Sequence, residues 1–191
     1  MDAVLELIWH GSFGSTTIDQ ICEKSGVRKG SFYHFFESKS DLATAALEAS
    51  WAERRADLDA LFSPTLPPLE RLHQFCETAY QRQVALRAEC GCVLGCPLFT
   101  LGAEICNQEV RLLGKIKEIF QNYHQYLESA IRDAQREGSI PMADPAAKAR
   151  MLFAYFEGLM TQARILNDPR VLREMSSGML DILGHQARQA A

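Results

Sequence analysis

The chain has 191 residues, 47% of them hydrophobic, and a net charge of −4. That is ample apolar material for one domain or two small ones, and it excludes a disordered chain. The negative balance excludes indiscriminate attraction to nucleic acid, yet between Lys24 and Lys39 four basic residues face one acid, which gives that stretch +3 and leaves about −7 for the rest.

A small basic patch on an acidic body suits a protein that meets a polyanion at one place. No basic leader precedes the first apolar run, which Asp2 and Glu6 interrupt, and no stretch approaches the roughly 20 apolar residues of a membrane helix. A cytoplasmic protein without a membrane partner is expected. Thiols stay reduced in that compartment, so Cys22, Cys76, Cys90, Cys92, Cys96 and Cys106 imply no disulfide framework.

Apolar residues recur at spacings of three and four, the helical period, and no segment alternates as a strand does. The fold class is therefore all-α, with about nine helices. Val4, Leu5 and Ile8 mark a short first helix closed by Gly11 and Gly14. "TIDQ", Thr17 to Gln20, has the form of a capping box and starts a second helix that buries Ile18, Ile21 and Cys22. Gly26 in "SGV" suits a left-handed turn. A third helix follows from Arg28 to about Phe35, with Phe32, Phe35 and Phe36 expected to face a three-helix core. Ser38 and Asp41 cap a long fourth helix that runs to about Phe62.

Three prolines in "SPTLPP" break the chain there. A fifth helix is expected from about Leu69 to Ala88, then the cysteine-glycine segment "ECGCVLGCPL", a short helix from Pro97 to about Cys106, and a long one from about Glu109 to Glu137. Asp144 and Pro145 start the eighth helix, which reaches Leu166, and a last helix covers about Arg170 to Gln186.

Two short helices joined by a glycine-containing turn are the form of a helix-turn-helix, whose second helix enters the DNA major groove. The helix "RKGSFYHFF" suits that role. Arg28 and Lys29 bring donors for guanine edges or phosphates, Ser31 is a short hydrogen-bonding group, and Gly30 permits close approach. Tyr33 and His34 remain at the edge to meet phosphates. Lys39 and Thr17 stand at helix N-termini, where amides already favour an anion.

The stretch "FGSTTIDQICEKSGVRKGSFYHFFESKSDL", Phe13 to Leu42, resembles the DNA-binding domain of TetR/AcrR-family transcriptional regulators. The resemblance implies phosphate contacts from Thr17, Tyr33, His34 and Lys39, and base-facing positions for Arg28, Lys29, Gly30 and Ser31. It also implies two domains, a helix-turn-helix over residues 1–47 and a ligand-binding and dimerisation domain over residues 48–191. Members usually carry a basic arm ahead of the first helix, whereas this chain opens inside that helix. The expectation is that the start lies upstream or the arm is absent, and its phosphate contacts are not counted.

"MLFAYFEGLMTQA", Met151 to Ala163, is apolar over more than one helix face: Leu152, Tyr155, Phe156 and Leu159 on one side, Phe153 and Met160 on another. Leu172, Met175, Met179, Ile182 and Leu183 continue the pattern. Such a coat fits either a deep core or a double covering. The resemblance implies the second, a homodimer through residues 145–186 that reads a palindromic operator. The central helices would then enclose a small-molecule effector, with Phe75, Tyr80, Phe99, Phe120, Tyr123 and His124 as candidate lining, each also a candidate for ordinary core. Effector binding would shift the population toward mismatched reading-helix spacing through the fourth helix, and repression is the common mode of the family.

No phosphate loop, metal-binding histidine pair or paired acids point to an enzyme, and no cofactor is expected. The cysteines at 90, 92, 96 and 106 are spaced two, four and ten apart, unlike the usual two-residue gaps of zinc sites, so no metal site is assigned. Three readings of Cys90, Cys92 and Cys96 stay open: a joint between helices, a reactive-thiol sensor and a metal site. The "G-C-apolar-apolar-G" segment looks like that of a TetR subgroup which includes sensors of reactive compounds, with Cys92 at the matching cysteine.

Overall fold

The structure, a computed structural model, describes residues 2–105 and 108–185. Cys106, at the expected end of the sixth helix, and Gln186, at the expected end of the last, lie outside the described residues. Those described form nine α-helices and no strand: α1 Asp2–His10, α2 Ile18–Ser25, α3 Lys29–Phe35, α4 Lys39–Leu61, α5 Pro68–Cys90, α6 Pro97–Ile105, α7 Val110–Arg136, α8 Pro145–Leu166 and α9 Met175–Leu183.

The last segment departs from expectation. A 3-10 turn over Pro169–Leu172 and a break precede α9, in place of one helix from Arg170. Asp168 is the cause. Its carboxylate accepts from the Arg170 amide at 2.9 Å and pairs with the Arg170 guanidinium, which holds its pKa at about 2 and tightens the chain ahead of the helix.

Two compact units divide the chain, Met1–Ala56 with Cys96–Phe120, and Asp57–Gly95 with Gln121–Ala191. In the first, α1 packs on α2 and α6, and α2 on α3. Val4, Ile8, Phe13, Ile21 and Phe32 are buried together with Leu42, Ala46, Leu101, Leu112 and Ile116 from α4, α6 and α7. At Gly102 of α6 an added Cβ would lie 3.4 Å from the Ile116 side chain of α7, at ordinary van der Waals contact. Burying each Leu, Ile or Phe contributes about 1.5–3 kcal/mol, opposed by chain entropy of similar total size.

In the second unit, α9 packs on α5 and α8. Leu72, Leu127, Ile131, Leu152, Leu172, Met175 and Met179 are fully buried there. The side chain of Tyr155 lies against the backbone of Gly178, where any Cβ would overlap its ring. Arg71 is buried with its guanidinium 2.6 Å from Asp133 and its Nε donating to the Leu66 carbonyl at 2.8 Å, so its charge and donors are matched rather than stranded.

Candidate nucleic-acid interface

Residues 11–36 build a reading head from ordinary helix rules. Thr17 is the N-cap of α2: its hydroxyl accepts from the Gln20 amide at 3.2 Å, and the Gln20 side chain accepts from the Thr17 amide at 2.8 Å. The expected capping box is present. Gly26 closes α2 at φ 67°, in the left-handed region that favours glycine, and the chain turns directly into α3.

Helix α3 has one anchor. Phe32 is 5% exposed and meets the Phe36 ring at a centroid distance of 5.9 Å and the Tyr33 ring edge-on at 5.2 Å. Phe36 is half-buried, but Phe35, expected in the core, is 72% exposed. Phe36 lies just past the end of α3 in extended backbone and meets Phe32 there, whereas Phe35, the last residue of the helix, faces outward with its ring against His34.

With Phe32 turned inward, Arg28, Lys29, Gly30, Ser31, Tyr33 and His34 are all exposed. Arg28 is the N-cap of α3 without a side-chain capping bond, so its guanidinium is not engaged in holding the helix start. Lys29 pairs with Asp19 of α2 at 2.7 Å, and this hydrogen bond with its charge raises the lysine pKa. Gly30 has open space where a Cβ would sit, so nothing within the protein requires a glycine there.

Lys39, the first residue of α4, is placed differently from its neighbours. Its ammonium donates to the carbonyls of Phe13 and Thr16, the latter at 2.7 Å, and lies 4.2 Å from the centre of the Phe13 ring. Burial lowers its pKa, against the opposing influence of Glu104 and Glu109. Sequence reasoning missed Asp19, which reads as an acid favouring a helix N-terminus, and Glu104, which carries no signal on its own helix.

The candidate effector residues fall in both units. In the second, Phe75 is stacked on Phe156 at 4.8 Å, Tyr123 on Phe153 at 5.7 Å, and His124 meets Phe153 edge-on at 5.0 Å. Burial, and secondarily the charge of Arg150, lowers the His124 pKa. Tyr80 is half-buried and its hydroxyl accepts from Arg173 at 3.1 Å. Phe99, 39% exposed, and Phe120, half-buried, belong to the first unit.

Side chains of α5 and of the C-terminal end of α8 hold the backbone of the cysteine segment. Gln83, 1% exposed, accepts from the amides of Leu94 and Gly95 at 3.0 Å each and donates to the Gly95 carbonyl at 3.2 Å. Asn167 accepts from the Val93 amide at 2.8 Å and donates to the Gly91 carbonyl at 3.0 Å, so it brackets Cys92. Arg164 donates to the Leu94 carbonyl at 3.1 Å. Val93 and Leu94 tuck inward as expected, while Cys90 and Cys92 are exposed and Cys96 is half-buried. Among the described residues no group of three or more potential ligands could hold a metal, and no helix is long and apolar enough to cross a membrane.

Comparison with known proteins agrees with this arrangement. Residues 1–46 match the family model of bacterial regulatory proteins of the tetR family, and residues 68–179 match the tetracyclin repressor-like C-terminal domain. The chain is similar to the transcriptional regulator AcuR of Cereibacter sphaeroides, 28% identical over 166 residues that cover 85% of this chain and 74% of that protein. It is also similar to the HTH-type transcriptional repressor NemR of Escherichia coli, 26% identical over 84% of this chain and 79% of the other. A solved regulatory protein TetR from Rhodobacter sphaeroides superposes with a TM-score of 0.82 at 27% identity, covering 93% of each chain. The reduced form of E. coli NemR shares the fold at a TM-score of 0.80, covering 97% of this chain and 96% of the other at 21% identity. With both the reading head and the C-terminal helices matched, the chain belongs to the TetR family of bacterial transcriptional regulators.

Proposed function

We propose that this DNA-binding regulator acts in the cytoplasm as a homodimeric repressor, reading a palindromic operator through α3 and released by a small molecule bound in its C-terminal domain. The observation that carries the reading is the division of labour in α3: Phe32 anchors the helix, and Arg28, Lys29, Gly30, Ser31, Tyr33 and His34 are presented outward. Arg28, Lys29, Gly30 and Ser31 face bases; Thr17, Tyr33 and His34 meet phosphates. Residues 1–47 serve as the reading domain, and 48–191 bind the effector and a second copy.

The dimer forms through residues 145–186. Most of the apolar coat of α8 and α9 is buried within the protomer, including Leu152, Phe153, Phe156, Met160, Met175 and Met179. Met151, Ile165 and Leu166 stay exposed on α8 and supply apolar surface for a partner. Sedimentation at micromolar concentration should give a dimer, and Ile165→Glu with Leu166→Glu should shift it to monomer with loss of operator binding.

The aromatic group of Phe75, Tyr123 and His124 with Phe153 and Phe156 supports an effector of flat, largely apolar chemistry. A second reading, a thiol sensor of oxidants or electrophiles, is favoured by the exposed Cys90 and Cys92 on a backbone held from three sides. Exposure to an electrophile such as N-ethylmaleimide should release DNA only in that second case, and Cys92→Ser should abolish the release.

A further inference from the structure

The turn between α1 and α2 holds two glycines, Gly11 and Gly14, and leads straight into the Thr17 cap. Within the turn Ser12 accepts from the amides of Ser15 and Thr16, and the amides of Phe13 and Gly14 are left for partners from other helices. The amides of Phe13 and Gly14 both point at one carboxylate, that of Glu104 on α6, at 2.8 Å and 2.7 Å to its two oxygens. A Cβ at Gly14 would come within 3.1 Å of that carboxylate. The carbonyls of Phe13 and Thr16 are taken by Lys39 of α4, whose ammonium also lies over the Phe13 ring. An anion therefore holds two donors of this turn and a cation holds two of its acceptors, through charge-assisted bonds that are about twice as strong as neutral ones.

We propose that Glu104 and Lys39 are positioning residues: together they clamp the α1–α2 turn and so set the angle at which α2 and α3 are offered to DNA. The proposal rests on the reading of α3 as the DNA-contacting helix. Neither residue acts by touching DNA. The Lys39 ammonium is committed to two carbonyls and a ring, so its role is exerted through the turn rather than on a phosphate.

The test uses the full-length protein and a duplex enriched from a random pool by the unaltered protein, titrated at several salt concentrations. Glu104→Gln, which keeps only one acceptor oxygen, and Lys39→Met should each weaken binding about tenfold. The slope of log affinity against log salt should stay at the wild-type value in both. The two effects should not add: the double variant should be within about twofold of the weaker single one, as expected of residues acting on one element. Amide exchange gives a readout independent of DNA, with Phe13 and Gly14 exchanging about tenfold faster in Glu104→Gln while Ile21 and Phe32 are unchanged.

A salt slope lowered by about one in Lys39→Met would make Lys39 a phosphate contact and overturn its assignment. Unchanged affinity or unchanged Phe13 and Gly14 exchange in Glu104→Gln would overturn the clamp while leaving the α3 reading intact. An unaltered protein that enriches no duplex would overturn the α3 reading itself, and the clamp with it.

Discussion

Lys29 at the start of α3 is bonded to Asp19 of α2 at 2.7 Å, so on the proposed reading of α3 this lysine comes to DNA already paired with an acid of its own domain. A phosphate or base must displace that carboxylate, and both side chains are more than half exposed, so the exchange costs little. Asp19→Asn removes the competitor and a charge that repels phosphate. It should tighten operator binding about three- to tenfold at low salt, with the gain shrinking as salt rises. Lys29→Ala should weaken binding, lowering the salt slope by about one if the lysine meets phosphate or relaxing sequence preference if it meets a base. Titration by fluorescence anisotropy at two salt concentrations checks both, and unchanged affinity at both would remove Lys29 from the interface.

Gly30 separates folding from function. Because a Cβ at this helical position meets nothing within 4 Å, Gly30→Ala should stabilise the free protein by about 0.4–1 kcal/mol through lower chain entropy. The same methyl would stand between α3 and the groove floor. Urea unfolding should show the gain while operator binding falls; a stabilised variant with full affinity would show that α3 does not approach DNA closely at this position.

Gln83 should matter more to stability than any surface charge. Gln83→Leu leaves the buried amides of Leu94 and Gly95 without their acceptor, at about 1–3 kcal/mol each. A drop of about 2–5 kcal/mol in urea unfolding is expected. A loss below about 0.5 kcal/mol would show that the cysteine segment is not fixed by this side chain.

The thiols divide by environment. Cys76 is buried, and burial pushes its pKa up to about 12, so it should resist alkylation in the folded protein. Cys22 is buried as well, whereas Cys90 and Cys92 are exposed. Peptide mapping after brief maleimide treatment should find label at 90 and 92, with 22 and 76 labelled only in denaturant. Early label at Cys76 would contradict its placement against α9, where its thiol donates to the Met179 sulfur at 3.4 Å.

Much of the local structure is legible in the sequence because its rules are local. The Thr17 and Gln20 box, the Gly26 turn and the Asp144 cap each depend on residues within four positions, and all three form as read. Phe35 was beyond such rules: three phenylalanines in five positions show that this stretch has an apolar side, but not how narrow the receiving surface is. Asp168 was missed for a related reason, since its capping of a 3-10 turn competes with a helix that periodicity favours equally. Glu104 lies 90 residues from Gly14 and Asn167 lies 74 from Val93, and no pattern within one helix announces a bond to a distant backbone amide. What sequence leaves hidden here is side-chain support for irregular backbone, which is also where the reading head and the cysteine segment obtain their fixed geometry.

The proposed function stands or falls with the reading of DNA by α3. The most direct measurement is selection of duplexes from a random pool by the unaltered protein, followed by titration of the enriched sequence with the Arg28→Ala, Lys29→Ala double variant. Enrichment of a palindrome bound by two chains, with affinity lowered at least about 100-fold and a shallower salt slope in the double variant, is the predicted result. An enriched duplex bound equally well by both proteins would contradict it.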